Sequence, residues 1–287
     1  MPSLMLTDAQ RAEFELNGFL VIDDALSPDE VQKYLALVDQ IDRTATTTFG
    51  GAARRPGEPL EMRNCVAYEP AMTDILTHPS AFPAIVDLMG TNICMTTSHV
   101  FIRPPTPGAQ SSHKQIGWHK DGPPSETTPP MNGRFPWLYT KVGYFLTDLT
   151  IPDAGALRVV PGSHRNTAPP WKPGAPDPYG YVEIRCKPGT AVIFENRLWH
   201  AVGPNYSNVA RKNIYIGYCW RWMRPIDYVA QSPALIERAA PIHRQLLGDV
   251  KSELGYILPK PEDLPLAAWA RERSGSPQST VSGGGNI

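Results

Sequence analysis

Apolar positions recur along this chain with two different periods, and the change of period divides it. Over the first forty residues the period is helical. Thr7 and Gln10 stand three apart ahead of Phe14, the spacing of a capping box, and Gly18 supplies a stop. The apolar run Phe19-Leu20-Val21-Ile22 then predicts a short strand. Ser27-Pro28-Asp29-Glu30 is a second start signal, with proline at the first helical position and Leu26 and Val31 placed as a hydrophobic staple. Val31, Leu35, Val38 and Ile41 continue at helical spacing, and a third helix is predicted from Ala81 to Met89, ending at Gly90.

From about Asn92 the pattern shortens. Apolar runs rich in β-branched and aromatic residues alternate with turn residues, predicting strands over 93–103, 115–120, 138–149, 156–160, 181–186, 190–194, 199–202 and 211–222. Eight such strands suffice for a jelly roll. The expected fold is therefore α+β but mainly β, a double-stranded β-helix (jelly-roll or cupin) core flanked by N-terminal and C-terminal helices. The connection 165–180 carries five prolines and reads as a lid or rim, with 123–136 forming the rest of the mouth. A last helical stretch is predicted over 233–247, kinked at Pro241. The Ser/Gly-rich tail 274–287 is expected to be disordered, which leaves 1–273 as one domain. The sequence holds no internal repeat.

Composition narrows the function classes. A chain with 41% apolar and 19% charged residues can build a core, and a formal net charge of −1 creates no field that steers it to nucleic acid or an anionic membrane. Its apolar stretches are far shorter than the roughly 20 residues needed to span a bilayer. No basic segment followed by an apolar one opens the chain, so a cytoplasmic protein is expected. Cys65, Cys94, Cys186 and Cys219 form no C-x-x-C pair, in keeping with a reducing compartment.

The densest chemical signal is Gly117-Trp118-His119-Lys120-Asp121-Gly122. In a strand, positions i and i+2 share a face, so His119 and Asp121 can address a single point. Alone this is weak, since an H-x-D is expected by chance in roughly 0.4 of such chains. The weight comes from His200, in Glu195-Asn196-Arg197-Leu198-Trp199-His200, which a jelly roll can return to the H-x-D segment. Two histidines and one carboxylate, with three positions left open, form the set by which non-haem Fe(II) oxygenases bind a cosubstrate and O2. Eleven residues after His200, Arg211 opens the last long strand and can pair bidentately with a carboxylate. Asn213 and Tyr215 share its parity and are expected to point into the barrel near the cosubstrate. Iron and the arginine together describe a site for a dicarboxylic 2-oxo acid. The plainer readings are a surface strand pair for His119 and Asp121 and a strand-end salt bridge for Arg211. Arg103, Lys120 and Arg197 are candidate anchors for an anionic substrate or cosubstrate, with solvation or ion pairing as their ordinary explanation. His99, His113 and His164 are weaker candidates not expected to ligate metal, with His164 in its tight turn read as structural, and His78 and His243 are read as surface or packing residues.

At these residues the chain resembles the phytanoyl-CoA dioxygenase family of Fe(II)/2-oxoglutarate oxygenases. The segments LTDAQRAEFELNGFLVIDDALSPDEV, GWHKDG, LTDLTIPDAGALRVVPGSH and ENRLWHAVGPN with its following arginine are similar to the family's in order and spacing, from about Leu6 to Trp222. The resemblance implies that His119, Asp121 and His200 ligate iron and that Arg211 grips the far carboxylate of 2-oxoglutarate. Halogenating relatives carry a small residue in place of the acid, so Asp121 points away from halogenation.

The implied activity is a dioxygenase acting on a small-molecule metabolite, with 2-oxoglutarate and O2 converted to succinate and CO2. Hydroxylation is the first expectation; desaturation, cyclisation or endoperoxidation at the same site are alternatives, as is a metal-dependent cupin that uses no 2-oxoglutarate. The absence of a basic cluster that would grip the phosphates of CoA favours a free metabolite, in secondary-metabolite biosynthesis or catabolism. Neither nucleic acid nor membrane is expected as a partner, and the C-terminal helix leaves a homodimer open.

Overall fold

The computed structural model describes residues 6–106, 117–122, 130, 134–166, 171–172 and 175–274. The tail 275–287, His113, and parts of the expected strand 115–120 and of segments 123–136 and 165–180 lie outside them.

The N-terminal elements follow their caps. In α1 (Asp8–Asn17) the Thr7 side chain accepts from the Gln10 amide while Gln10 reaches back to Thr7, and Gly18, at φ 82°, ends the helix in the left-handed conformation that costs glycine least. Helix α2 (Pro28–Thr44) has the same box at Ser27 and Glu30 and buries Val31, Tyr34, Val38 and Ile41. Tyr34 takes the buried place the pattern gave to Leu35, which is half-exposed. The third predicted helix is α4 (Phe82–Met89).

Nine strands occur among the described residues, in two sheets. The larger has the order β1-β7-β4-β9-β3-β2, with β1 Phe19–Ile22, β2 Leu60–Arg63, β3 Ile93–Arg103, β4 Tyr139–Phe145, β7 Ala191–Glu195 and β9 Arg211–Trp220, and each of its neighbouring pairs is antiparallel. The smaller has the order β6-β5-β8, with β5 Leu157–Val159, β6 Val182–Ile184 and β8 His200–Val202. This is the expected jelly-roll core with helices around it.

Each face of the large sheet has its own core. Val142, Tyr144, Ile193, Ile214, Ile216 and Tyr218 point outward and are buried with residues of α2, α4 and the 3-10 segment Pro70–Thr77. Each such side chain adds about 1.5–3 kcal/mol on burial. The opposite face, with Val192, Phe194, Phe145 and Tyr215, packs against Leu157, Val159 and Ile184 of the small sheet. That second interface is the barrel interior, where the site lies.

Several expectations are corrected. Residues 117–122 form no strand; His119 makes an isolated bridge to His200, because Asp121 and Gly122 bend away at once. Strand β2 and the helices α3 (Cys65–Tyr68) and α7 (Pro265–Ser274) were not predicted, and Ser274 ends a helix rather than starting a tail. The stretch 233–247 is two helices, α5 (Pro233–Arg238) and α6 (Pro241–Leu246): proline forces the preceding residue out of helical geometry, and Ala240 has ψ 157°. No helix among the described residues is long and apolar enough to cross a membrane.

Candidate active site

The strand register decides which side chains enter the barrel. On β9, Arg211, Asn213, Tyr215 and Gly217 alternate with the outward-facing isoleucines, and they stand opposite Phe145, Gly143 and Lys141 of β4 and Arg103, Phe101 and His99 of β3. Gly143 makes room here: a Cβ on it would lie 2.3 Å from the Tyr215 ring.

His119, Asp121 and His200 meet as the sequence predicts, offering one nitrogen or oxygen each, all within 4.8 Å of one another. The His119 and His200 Nε2 atoms are each 3.6 Å from a different oxygen of Asp121. In both histidines Nδ1 donates to a backbone carbonyl two residues earlier, Gly117 and Leu198, at 2.8 Å. Those bonds fix the tautomer and leave Nε2 with a free lone pair, the usual outer support of a metal-binding imidazole. Burial pushes the His200 imidazole down to about 4, so it is neutral at physiological pH.

Asp121 is held by a residue the sequence reading passed over. Asn196, in the turn after β7, accepts at its carbonyl from the Asp121 amide (2.8 Å), donates from Nδ2 to the Asp121 carbonyl (3.0 Å) and accepts from the Leu138 amide (2.9 Å). A second omission is Lys141, whose ammonium lies 2.6 Å from Asp121 Oδ2. Burial alone would raise the Asp121 carboxyl, but Lys141, His200 and His119 outweigh it and hold the group well below the usual carboxylate range.

Arg211, the first residue of β9, is 1% exposed. Its Nη2 donates to the Tyr215 hydroxyl at 3.1 Å, while Nε and Nη1, and both polar atoms of the Asn213 side chain, are buried without a partner among the described residues. Buried donors of this kind call for an acceptor. The predicted set therefore fits its groups: two imidazole nitrogens and a carboxylate suit a divalent metal with open positions, and an underused buried guanidinium suits a carboxylate.

The other candidates resolve into ordinary roles. Arg197 pairs with Glu195 at 2.7 Å, and the Lys120 ammonium donates to the Asn166 carbonyl. Arg103 stands across the ladder from Arg211, and burial and that neighbouring charge lower its pKa. His99 pairs with Asp227 at 3.0 Å, and His164 Nε2 donates to the Glu15 carbonyl at 3.1 Å. The described part of the proline-rich connection docks beside His119 and His200: Trp171 packs edge-on against Trp199, and Asp177 accepts from Trp118 at 2.8 Å.

Comparison with known proteins agrees with this geometry. Residues 14–213 match the phytanoyl-CoA dioxygenase family. The chain is 26% identical over 242 residues to dioxygenase trt7 of Aspergillus terreus, covering 81% of this chain and 80% of that one. It is 24% identical over 240 residues to the ectoine dioxygenase of Bordetella bronchiseptica, covering 74% and 75%. The crystal structure of EctD from S. alaskensis with 2-oxoglutarate and 5-hydroxyectoine superposes with a TM-score of 0.61 at 22% identity, over 83% of this chain and 86% of that one, and so shares the fold. With a match over most of its length and the histidine–aspartate–histidine cluster in its barrel, the chain belongs to the phytanoyl-CoA dioxygenase family of iron- and 2-oxoglutarate-dependent oxygenases.

Proposed function

We propose that this dioxygenase hydroxylates a C–H bond of a small-molecule metabolite in the cytoplasm, with His119, Asp121 and His200 as the iron ligands. Iron held there supplies the redox chemistry, in which 2-oxoglutarate and O2 give succinate and CO2 as the substrate is oxidised. The observation that carries the reading is that the ligand cluster and Arg211 both lie in the barrel interior, approaching it from different sheets. The three ligands converge at one end with both imidazoles locked as acceptors, and Arg211 waits at the other with two unpartnered nitrogens.

The residues divide the work. Arg211 pairs with the far carboxylate of 2-oxoglutarate, Tyr215 holds the guanidinium flat, and Asn213 offers an amide beside them. This orientation turns the 2-oxo acid end toward the three ligands. Asn196 fixes the backbone of Asp121 so that its carboxylate stays aimed at the histidines. Trp118, Trp171, Tyr181 and Trp199 pack edge-on against one another beside His119 and His200 and tie the described part of the proline-rich connection to the rim of the site. Four free, buried cysteines support a reducing compartment.

The test is anaerobic titration of apoprotein with Fe(II) and then 2-oxoglutarate, followed by the weak visible charge-transfer band of a chelated 2-oxo acid. A band that needs both additions and vanishes in His200→Ala is the expected result. A folded, metal-loaded protein that never develops it is a cupin of some other activity.

A further inference from the structure

Lys141 has no part in the reading above, yet it is the cation nearest the metal site. It sits in the middle of β4, between Phe194 of β7 and Gly217 of β9 in the register, with its side chain 13% exposed. Gly217 lies in ordinary contact with the lysine stem, a Cβ there being 3.6 Å from Lys141 Cγ, while the close neighbours that exclude a larger residue are Thr97 and Thr96, at 2.5 and 3.0 Å. Among the described residues its one charged partner is Asp121, at 2.6 Å.

Loading of the site weakens that partnership. A carboxylate that ligates a divalent cation can keep one oxygen for an outer-shell donor but shares its charge with the metal, and a nearly buried ammonium without a full counter-ion is costly. The other nearby acids are engaged elsewhere: Asp227 with Thr97, the Ser98 amide and His99, Glu61 with Arg63, and Glu195 with Arg197. The metal dication, Asp121, the 2-oxoglutarate dianion and Arg211 together come to zero charge, which leaves Lys141 uncompensated. Its backbone position is distinct from that of the cosubstrate anchor: Gly217, opposite Lys141, is six residues from Arg211, about 20 Å between Cα positions on an extended strand, although the Arg211 guanidinium reaches back to Tyr215. Beyond Lys141 the interior face continues into an apolar wall of Tyr139, Cys94 and Cys219, with Leu138 and Met223 against it.

We propose, on the basis of the oxygenase reading above, that Lys141 binds a carboxylate beside the metal and selects a substrate that carries an anionic group next to an apolar body. One carboxylate chemistry has two sources here, the substrate and the metal-proximal end of 2-oxoglutarate. The charge count favours the substrate.

The test compares wild type with Lys141→Gln and Lys141→Arg, each checked for fold by circular dichroism. Three quantities are read: the Fe(II) dissociation constant measured anaerobically, the 2-oxoglutarate dissociation constant of the Fe(II)-loaded protein, and succinate release driven by a panel of small apolar monocarboxylic acids against their matched carboxamides. Lys141→Gln is expected to bind Fe(II) at least as tightly as wild type, because the ammonium and the metal compete for Asp121. It should hold 2-oxoglutarate within about threefold and lose at least tenfold of the wild-type preference for acids over amides, which Lys141→Arg retains. A tenfold loss of 2-oxoglutarate affinity with the acid preference unchanged assigns the carboxylate to the cosubstrate and overturns the selectivity. A tenfold loss of Fe(II) affinity with the other two readouts unmoved, or a wild type with no preference for acids, makes Lys141 only the counter-ion that positions Asp121. If wild type binds no 2-oxoglutarate at all, it is the oxygenase reading that fails.

Discussion

His119 and His200 face each other across a two-residue antiparallel bridge: each amide donates to the other's carbonyl, at 3.0 and 2.9 Å, and their rings stand 4.3 Å apart. The approach of the two imidazoles is therefore set by backbone hydrogen bonds and not by the rings themselves. His200→Ala keeps those bonds and removes one donor atom. The expected outcome is at least a 100-fold loss of Fe(II) affinity, larger than typical losses for outer-shell changes, with an unchanged far-ultraviolet dichroism spectrum. Equilibrium dialysis under argon measures the first; a collapsed spectrum would show that the ring, packed 5.0 Å from Phe194, holds the barrel together.

Arg211 and Tyr215 separate a charge from its support. Removing a guanidinium from a desolvated carboxylate pair costs about 2–4 kcal/mol, so Arg211→Ala should raise the 2-oxoglutarate dissociation constant some 30- to 1000-fold. Tyr215→Phe removes one neutral acceptor of Arg211 Nη2, worth about 1 kcal/mol, and should raise it about fivefold. Fe(II) affinity should stay within a factor of three in both. Equal losses in the two variants would mean that the hydroxyl, not the guanidinium, meets the cosubstrate.

How much of this was legible depends on where the signal lies. Caps are local, so Thr7 with Gln10 and Ser27 with Glu30 could be read directly, and so could the long apolar strands β3 and β9. His119, Asp121, His200 and Arg211 stood out only as a set: the H-x-D pair is weak alone, and its weight came from His200 and Arg211 following in order within segments that resemble the family's. Strand β2 was not, since Leu60-Glu61-Met62-Arg63 has one fully buried residue and exists only through its pairing with β3. Lys141 was hidden for a different reason. Both faces of β4 are covered, so alternation along Tyr139 to Phe145 does not say which side is the barrel, and a lone lysine reads as solvent-facing until Phe194 and Gly217 are placed on either side of it. Asn196 looks like any turn residue, and its three bonds join segments 58 and 75 residues away.

Gly155 tests whether Arg211 needs its bed. The residue has φ +83°, and a Cβ on it would lie 2.8 Å from Arg211 Cδ. Gly155→Ala thus adds backbone strain and pushes the guanidinium off its course, at a cost of about 1–3 kcal/mol in stability. The expected result is a rise of at least tenfold in the 2-oxoglutarate dissociation constant with Fe(II) binding kept. A lowered melting temperature with cosubstrate binding untouched would show that Arg211 tolerates the shift.

His164 gives the fold a pH dependence of calculable sign. It is buried against Gly18, a Cβ on which would lie 2.5 Å from His164 Nδ1, and burial pushes its imidazole down to about 4. In the unfolded chain the same group titrates near 6.5. Between these values the unfolded chain binds a proton that the folded protein refuses, so stability falls as pH drops from about 6.5 toward 4. Above that window both states are neutral and below it both are charged, so the contribution is flat at either side. One proton limits the slope to about 1.4 kcal/mol per pH unit. His200, His99 and His243 are shifted in the same direction, so the whole-protein slope is shared. His164→Gln keeps a donor for the Glu15 carbonyl and removes the titration. Urea unfolding of the metal-free protein at several pH values between 4.5 and 8 should therefore show the variant less stable than wild type at pH 8, with the gap narrowing as the pH falls. A gap that stays constant across the series would mean that His164 takes up its proton as readily folded as unfolded, and that its burial carries no electrostatic cost.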